Sequence, residues 1–204
     1  MTRRPYAKQR RAALEAETRE RIVLAAVALH AEHGGLGTSY AMIAKRADVA
    51  PQTVYNHFPD LGALFGACTG HVLAKAPPFG PETFRSGRTA ADRMKLLAQA
   101  AYRRNEFLAP WLRKGWYEAA LSPELGAILD QGNAALRKLI EAAVAPEREP
   151  VAGFTDAAFV LLDFPAWKEL TRGRSTAEAA RITGDCLADL VSRLTRPSRR
   201  KGKS

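Results

Sequence analysis

Apolar residues recur at helical spacing over most of the chain. Between residues 15 and 33, Ile22, Ala26 and Leu29 fall at positions i, i+4 and i+7, which predicts a long helix with one buried face. Gly34 follows this stretch, as glycine often does after a helix C-terminus. No segment shows the sustained alternation of a strand, and no Asn-Gly or Asp-Gly hairpin turn occurs. The pattern therefore predicts an all-α fold.

Two short helical stretches follow, with little room between them. The first covers residues 39–46, with Thr38 as its cap because a threonine hydroxyl can accept a backbone N–H bond. The second covers 51–58 and starts at Pro51, which suits a first helical turn. A fourth helix is predicted over 61–75. A short helix, a tight turn and a second short helix form a helix-turn-helix, which needs the long first helix to bury its apolar face.

A segment rich in Pro and Gly, residues 77–88, is the best candidate for a domain junction. Ser175 and Glu178 have the spacing of a capping box, and Pro165 is expected to kink the helix that contains it. Helical spacing predicts further helices over 89–108, 110–120, 123–145, 155–171 and 175–195. The expected organisation is a basic flexible arm (1–14), a helix-turn-helix domain (15–76), a larger helical ligand-binding and dimerisation domain (77–195) and a basic tail (196–204).

Basic residues are concentrated at the two ends of the chain. The net charge is +4 over residues 1–76, +1 over 77–195 and +5 over 196–204, which accounts for the +10 of the whole chain. Basic ends raise the local affinity for polyanions, of which DNA is the commonest. They also fit solvated tails that only aid solubility, and charge alone leaves both interpretations open.

The sequence shows no sign of a membrane or secreted protein. No apolar run is long enough to span a membrane, and no apolar segment of a secretory signal follows the first basic residues. Cys68 and Cys186 lie far apart in apolar helical stretches, without the spacing of metal ligands. We expect both to be reduced core residues of a cytoplasmic protein with no metal, no cofactor and no membrane partner.

The second short helix carries compact hydrogen-bonding groups on its outer face. Gln52, Thr53 and Asn56 have side chains that can read base edges in the major groove. Tyr55 and His57 suit contacts with phosphates, which fix the register on DNA. Any one of these residues could be a chance polar residue on a solvated helix. Together they predict a recognition helix for double-stranded DNA.

The stretch TSYAMIAKRADVAPQTVYNHFPDLGALF resembles the DNA-binding domain of the TetR/AcrR family of regulators, and the likeness extends over residues 17–75. The resemblance implies that the second short helix enters the major groove and that the protein forms a homodimer on a near-palindromic operator. The residues that carry it are Thr38, Ile43, Ala44, Ala47, Asp48, Val49, Thr53, Tyr55, His57 and Phe58.

The same resemblance assigns roles to individual residues. It implies DNA contacts for Thr53, Tyr55 and His57, and it places Thr38 at the start of the helix before them, close to a phosphate. Pro51 and Gln52 stand at positions where members of the family vary and read bases.

Four positions depart from the family pattern. Asp48 replaces the usual turn glycine, and Asp tolerates a left-handed backbone better than most residues. Ala50 replaces a Ser or Thr cap, which removes a capping bond worth about 1 kcal/mol. Leu61 stands where a phosphate-binding Lys is common. His30 replaces a core aromatic, where we expect a packed, hydrogen-bonded, neutral imidazole.

The C-terminal region is expected to bind a small effector. By resemblance, its helices enclose a pocket for a hydrophobic or aromatic ligand, with Asn105, Asp163 and Glu118 as polar anchors. For any single aromatic residue, a place in the core is the better expectation. The candidate pocket residues are Tyr102, Asn105, Phe107, Trp111, Trp116, Tyr117, Phe159, Asp163, Phe164 and Trp167.

The last two predicted helices carry wide apolar surfaces that fit a dimer interface, although both could instead be used up in the core of one subunit. Two helices from each subunit would form a four-helix interface. The candidate interface residues are Phe159, Leu162, Ala166, Leu170, Ala179, Ile182, Cys186, Leu190 and Leu194.

Nothing in the sequence marks a catalytic site. It contains no Gly-rich phosphate loop, no G-x-S-x-G, no H-E-x-x-H and no cysteine cluster. The sequence therefore predicts a transcription regulator that is not an enzyme, in the first instance a repressor released from DNA by its ligand. The alternatives are a DNA-binding regulator that acts without a small ligand, and an activator.

Overall fold

The structure, a computed structural model, describes residues 3–145 and 147–197, with the side chains of residues 8–145 and 147–195. Within these ranges a 3₁₀ turn, Pro81–Phe84, precedes the fifth helix, and a short ribbon pairs β1 (Arg148–Pro150) antiparallel with β2 (Thr195–Pro197). The predicted all-α fold class is confirmed. The helices are α1 (Arg3–His33), α2 (Tyr40–Ala47), α3 (Pro51–His57), α4 (Leu61–Leu73), α5 (Ala90–Glu118), α6 (Pro123–Val144), α7 (Phe154–Leu162), α8 (Phe164–Leu170) and α9 (Thr176–Leu194).

The chain divides into two compact units. The first contains the residues up to Lys75 together with Pro110–Leu129, and the second contains Ala76–Ala109 together with the residues from Asp130 onward. The sequence analysis placed residues 110–129 with the C-terminal domain, whereas the structure groups them with the helix-turn-helix. The difference arises because side chains in the last turns of α5 bond to the backbone of α1 and of the turn that follows it.

The core of the first unit is built from one apolar face of each of α1 to α4. Ile22 of α1, Ile43 of α2 and Val54 of α3 are fully buried, and Phe58 and Leu64 complete the cluster. α1 packs against α2 and α4, and α2 packs against α3. Burial of an Ile, Val or Phe side chain stabilises by about 1.5–3 kcal/mol. The predicted arrangement of a long first helix that covers a helix-turn-helix is confirmed.

The turn between α2 and α3 depends on a left-handed residue. Asp48 has φ 52° and ψ 56°, and its N–H donates to the carbonyls of Ala44 and Lys45. The N–H of Val49 also donates to the Ala44 carbonyl, at 3.0 Å. Asp is one of the few residues other than Gly that adopt this conformation at small cost. The turn therefore closes without glycine, as predicted.

The cap of α2 differs from the prediction. Ser39, and not Thr38, has the extended backbone of a cap, and its side chain accepts the Met42 N–H at 3.2 Å. Thr38 is buried, and its hydroxyl donates to the carbonyl of Gly34 at 2.7 Å. The hydroxyl of Thr38 therefore ties the start of α2 to the end of α1.

The first helix is longer than predicted. α1 extends back to Arg3, so residues 3–14 are helical where a flexible arm was expected. The physical reason is composition, because Ala, Arg, Lys, Gln and Leu favour helices and no glycine interrupts them. Residues 1–2, and residues 198–204 of the predicted basic tail, lie outside the described residues.

Two prolines act differently from the predictions. Pro110 lies inside α5, which runs without a break where two helices were predicted. Pro165, expected to kink one helix, instead occupies the first turn of α8, where its missing N–H costs nothing. Asp163 ends α7 and caps α8, so the predicted single helix is two.

In the second unit α9 packs against α7 and α8 and comes close to α5 at one point. A Cβ added to Gly184 of α9 would lie 3.3 Å from the Cα of Lys95, so this glycine allows a close approach of the two helices. Lys95 also pairs with Asp185 at 2.9 Å. The predicted capping box at the start of α9 is confirmed, with Ser175 and Glu178 bonding reciprocally. These features fix the start and the register of α9.

Candidate nucleic-acid interface

The outer face of α3 is polar and open to solvent. Gln52, Tyr55 and Asn56 are exposed, and Thr53 and His57 are half-buried. On the opposite side, Val54 and, at the C-terminal end, Phe58 enter the core described above. The packed inner face therefore holds the helix rigidly while five hydrogen-bonding side chains remain available to a partner. All five were identified from the sequence.

Two of these side chains are bonded to each other. Gln52 Nε2 donates to Asn56 Oδ1 at 3.1 Å, one helical turn apart. The bond occupies one amide hydrogen of Gln52 and one oxygen lone pair of Asn56. Each amide keeps at least one N–H and one oxygen lone pair, which are the groups that a bidentate contact with adenine requires. The pair is thereby oriented before DNA arrives.

Tyr55 rests on a second tyrosine that the sequence analysis did not identify. Its ring centroid lies 4.7 Å from that of Tyr40, at the start of α2, with an interplanar angle of 49°. Burial, and then the charge of Asp60, raise the pKa of Tyr40. The Tyr40 hydroxyl is buried and has no hydrogen-bond partner in the described part of the chain. The stack restricts the orientations of the Tyr55 ring.

Cationic groups border α3 on two sides. The guanidinium of Arg19, from α1, lies 4.8 Å from the centroid of the Phe58 ring at the end of α3. Lys45 is exposed in the last turn of α2, and next to it Arg46 pairs with Glu32 at 2.7 Å. Arg19 was not predicted as part of this surface, although its position one helical turn before the apolar Ile22 could have indicated it.

The departures from the family pattern have visible consequences. Ala50 precedes α3 without a side-chain capping bond. Asp48 is exposed, so its carboxylate does not point into the core. Leu61, at the start of α4, keeps 38% of its surface exposed, while Asp60 caps that helix through the Ala63 N–H at 2.7 Å. The surface beside α3 therefore offers an acidic and an apolar side chain where the family has a glycine and a lysine.

His30 is packed as predicted but is not hydrogen-bonded as predicted. It is buried, its ring centroid lies 5.4 Å from that of Phe65, and Nε2 has no partner among the described residues. Burial lowers the pKa of His30 to about 4, so the imidazole is neutral at pH 7. His30 is thus a core residue with one unsatisfied polar atom.

Two candidate pocket residues of the second unit bond to its own backbone. The Tyr102 hydroxyl is buried, donates to the Leu161 carbonyl at 3.0 Å and accepts the Thr183 hydroxyl at 2.7 Å. Asn105 Nδ2 donates to the Leu162 carbonyl at 3.1 Å. Both residues bridge α5 to α7, and Tyr102 also reaches α9.

The remaining candidates of the second unit cluster around α7 and α8. The carboxylate of Asp163 accepts the Phe164 N–H at 2.8 Å, and burial raises the pKa of Asp163. The rings of Phe164 and Trp167 are buried 5.4 Å apart. Phe107 and Phe159 are half-buried. The indole Nε1 of Trp167 is buried without a hydrogen-bond partner in the part of the chain that the structure describes.

Three candidate pocket residues belong instead to the first unit. Trp111 and Trp116 are half-buried, and Tyr117 is 63% exposed. Glu118, expected as a polar anchor for a ligand, accepts backbone N–H bonds from Gly35 and the residue after it. The aromatic residues that were predicted to line one pocket therefore lie in two different units.

The predicted dimer face of α9 is rotated away from the core of the subunit. Thr183, Leu187 and Val191 are buried on one side of α9, together with Ala179, and α7 likewise buries Leu162. Ala179 and Leu162 therefore belong to the core and not to an interface. The other candidates keep exposed surface: Phe159, Ala166, Leu170, Ile182, Cys186, Leu190 and Leu194.

The two cysteines have different environments. Cys68 is a core residue as predicted, and burial raises the pKa of its thiol to about 12. Cys186 is exposed on α9, so the prediction of a second core thiol was wrong. The face of α9 that contains Cys186 is apolar, as predicted, but the core is filled by the neighbouring face of the same helix.

Within residues 3–145 and 147–197, no group of His, Cys, Asp and Glu has the arrangement of a metal site. None of the helices described here has the length and apolar character to cross a membrane.

Comparisons with known proteins agree with this geometry. The profile described as "Bacterial regulatory proteins, tetR family" matches residues 22–68, which span α1 to α4. No curated protein matches the chain. Among solved structures, Salmonella enterica GusR is 25% identical with a TM-score of 0.58, and the match covers 87% of this chain and 95% of that one.

Two further solved structures share the fold. A transcriptional regulator from Rhodococcus sp. Rha1 is 19% identical with a TM-score of 0.63, over 86% of this chain and 97% of that one. A TetR transcription regulator from Haloarcula marismortui is 15% identical with a TM-score of 0.61, over 89% of this chain and 100% of that one. Residues 22–68 thus match the model of the TetR family's DNA-binding helices, and the chain shares its fold with solved transcription regulators.

Proposed function

We propose that the protein is a sequence-specific DNA-binding repressor that acts as a homodimer and is released from its operator by a small hydrophobic or aromatic ligand. The observation that carries the DNA-binding part is the outer face of α3, where exposed Gln52, Tyr55 and Asn56 project from a helix with a fully packed inner face. Rigid polar side chains on such a helix suit the major groove.

The residues of this face divide into two roles. Gln52 and Asn56, with Thr53 and Pro51 beside them, contact base edges and provide sequence selectivity. Tyr55 and His57 contact phosphates and fix the register. The side chain of Thr38 is buried and bonded to Gly34, so we assign it to the shape of the domain and leave any phosphate contact at this place to the backbone.

A homodimer accounts for the apolar surface that α9 leaves exposed. Ile182, Leu190 and Leu194 lie beside exposed Cys186, outside the face that fills the core. Two copies of α8 and α9 would bury these residues in a four-helix interface. The two recognition helices of the dimer would then meet half-sites about one helical turn of DNA apart, about 34 Å.

Ligand control rests on the second unit. Its buried Trp167 indole N–H lacks an acceptor in the described residues, next to the ring of Phe164. An aromatic ligand with one hydrogen-bond acceptor would satisfy this donor, since an unpaired buried N–H is costly. A ligand that binds one arrangement of the dimer more tightly shifts the population toward it and so changes the affinity for the operator.

The test is a binding titration on the DNA upstream of the gene for this protein. Fluorescence anisotropy over a salt series would compare wild type with Gln52→Ala, and with a Tyr55→Ala/His57→Ala double variant. We expect tight, salt-sensitive and sequence-selective binding by wild type. We expect Gln52→Ala to lose about 1–3 kcal/mol of discrimination between bases, and the double variant to lose most of the affinity.

Gln131→Ala is the matched control, because Gln131 is an exposed glutamine on α6. Equal effects of the two glutamine substitutions would count against the recognition helix. Weak and unselective binding by wild type would remove the proposed function. Ligand control is tested by a thermal-shift panel of hydrophobic and aromatic compounds, since a ligand specific to the native state raises its stability.

A further inference from the structure

The last turns of α5 hold the backbone that leads into the helix-turn-helix. Glu118 accepts the N–H of Gly35 at 2.8 Å and that of Leu36 at 3.3 Å. One and two turns earlier on the same face, the Lys114 ammonium donates to the Glu32 carbonyl and the Trp111 indole N–H donates to the Val27 carbonyl. Three side chains of α5, at positions i, i+3 and i+7, thus form hydrogen bonds with the C-terminal part of α1 and with the turn after it.

These bonds satisfy groups that a helix end leaves unpaired. The last carbonyls of a helix and the first N–H groups after its end lack helical partners. Lys114 supplies a donor to a C-terminal carbonyl of α1, and Glu118 supplies acceptors to two successive N–H groups. A carboxylate that receives backbone N–H bonds is a charge-assisted acceptor, stronger than a neutral one.

Two glycines of the turn, Gly34 and Gly35, stand in tightly packed places. Gly34 has φ +85°, and a Cβ placed on it would lie 2.2 Å from Glu118 Oε1. A Cβ on Gly35 would lie 3.1 Å from the Phe65 ring. Gly34 was predicted from the sequence as the end of a helix. It also makes room for the carboxylate of Glu118, whereas Gly35 makes room for the Phe65 ring.

From this turn a short series of contacts leads to the recognition helix. The carbonyl of Gly34 accepts the hydroxyl of Thr38, and α2 begins two residues later. Its first residue, Tyr40, stacks against Tyr55 on the outer face of α3. The position of the turn therefore sets the place of the Tyr40 ring, and the Tyr40 ring restricts Tyr55.

We propose that Glu118, assisted by Lys114 and Trp111, is a positioning residue for DNA binding, which acts through the turn of residues 34–38 and the stacked tyrosines. The inference rests on the proposed function of α3. α5 itself starts in the second unit and runs to Glu118 without interruption.

The experiment uses the full chain and a DNA duplex selected from a randomised library with the wild-type protein. Glu118→Ala is compared with Glu141→Ala, an exposed glutamate of α6 that undergoes the same change in charge. Affinities are measured by anisotropy over a salt series, in the wild-type and in the Tyr55→Ala background. Hydrogen exchange reports on the amides of Gly35 and Leu36.

We expect Glu118→Ala to weaken binding about tenfold, or about 1.4 kcal/mol, with an unchanged salt slope because no phosphate contact is lost. We expect faster exchange at Gly35 and Leu36. In the Tyr55→Ala background the further loss should be less than about twofold, since groups that act through one another are not additive. Glu141→Ala should bind as wild type does.

Three results would overturn the proposal. They are an affinity of Glu118→Ala equal to that of Glu141→Ala, a full tenfold loss that persists in the Tyr55→Ala background, and faster exchange at the turn without a change in affinity. If Glu118→Ala does not fold, Glu118→Gln, which keeps one acceptor oxygen, is judged by the same criteria. Failure of wild type to select any duplex would be a different result, which removes the proposed function and this inference with it.

Discussion

Two helices of this protein leave opposite kinds of surface to the solvent. α3 exposes amide and phenol groups above a packed apolar face, whereas α9 leaves Ile182 and Leu190 half-buried around exposed Cys186, beside a packed face of its own. A polar face can bind a hydrated polyanion without the loss of much water, while an apolar face is stabilised when a second apolar surface covers it. We infer that the first helix meets DNA and the second meets another copy of the chain.

The largest effect is expected from a substitution on the partly exposed apolar face of α9. Leu190→Glu places a charge in the proposed dimer interface, where it cannot be paired. We expect a monomer in analytical ultracentrifugation and a loss of operator affinity of more than about a thousandfold, about 4 kcal/mol, because one subunit contacts only one half-site. Leu121→Glu, at a leucine 76% exposed in the first unit, is the control. A Leu190→Glu variant that remains a dimer would refute the interface.

A second comparison is offered by one buried polar atom from each unit. In the first, His30 Nε2 is buried without a partner within the described residues, and in the second the Tyr102 hydroxyl is buried with two. Removal of a polar atom should therefore change the free energy of unfolding in opposite directions in the two units. An unsatisfied buried group destabilises the native state, whereas a satisfied one leaves orphaned partners when it is removed.

His30→Phe tests the first half of this contrast through pH. The pKa of His30 is about 4 in the folded protein against 6.5 for the free side chain. Between these values the unfolded chain binds a proton that the folded chain does not, so the stability of wild type falls as pH falls through this window. Above pH 6.5 His30 contributes no pH dependence. Over this whole window the free energy of unfolding of wild type falls by about 3 kcal/mol.

Urea denaturation followed by circular dichroism measures the effect. We expect His30→Phe to exceed wild type by about 2–3 kcal/mol at pH 4.5, with a much smaller difference at pH 7.5. His30→Leu should show the same dependence on pH but a lower stability throughout, because it loses the ring contact with Phe65. A constant difference between wild type and His30→Phe at both pH values would contradict the assignment.

Tyr102→Phe tests the second half. Loss of the hydroxyl leaves the Leu161 carbonyl and the Thr183 hydroxyl without the partner they have now, and we expect a loss of about 1–3 kcal/mol in the free energy of unfolding. Tyr55→Phe, at an exposed tyrosine, should stay within about 0.5 kcal/mol of wild type. An unchanged stability of Tyr102→Phe would mean that these two hydrogen bonds make no net contribution to the free energy of unfolding.

The sequence predicted the first unit better than the second, for a physical reason. On α3 a solvent-facing position needs no partner within the chain, so residue type and helical spacing were enough to find Gln52, Tyr55 and Asn56. In the second unit, Tyr102 and Asn105 bond to carbonyls of α7 that lie more than fifty residues away in sequence. No local pattern contains that information.

The same limit applies to contacts nearer the site that the sequence did not predict. Trp111 and Glu118 were assigned to a ligand pocket because the family resemblance implies a pocket enclosed by the helices that contain them. Their hydrogen bonds instead join them to α1 and the turn after it, over 84 and 83 residues. Tyr40 was missed because its importance comes from its contact with Tyr55 and not from its own position on α2.

The smallest effect is expected from a substitution at the edge of the proposed DNA-binding face. Leu61 is exposed at the start of α4, where the family commonly has a phosphate-binding lysine. Leu61→Lys should raise operator affinity several-fold at moderate salt, about 1 kcal/mol, and steepen the slope of log K against log salt by about 0.9. Leu73→Lys adds the same charge at an exposed leucine near the other end of α4, and its smaller, less salt-dependent effect would separate a phosphate contact from a general gain in charge. Equal slopes for the two variants would place the start of α4 away from the DNA backbone and would restrict the interface to α3 and its immediate neighbours.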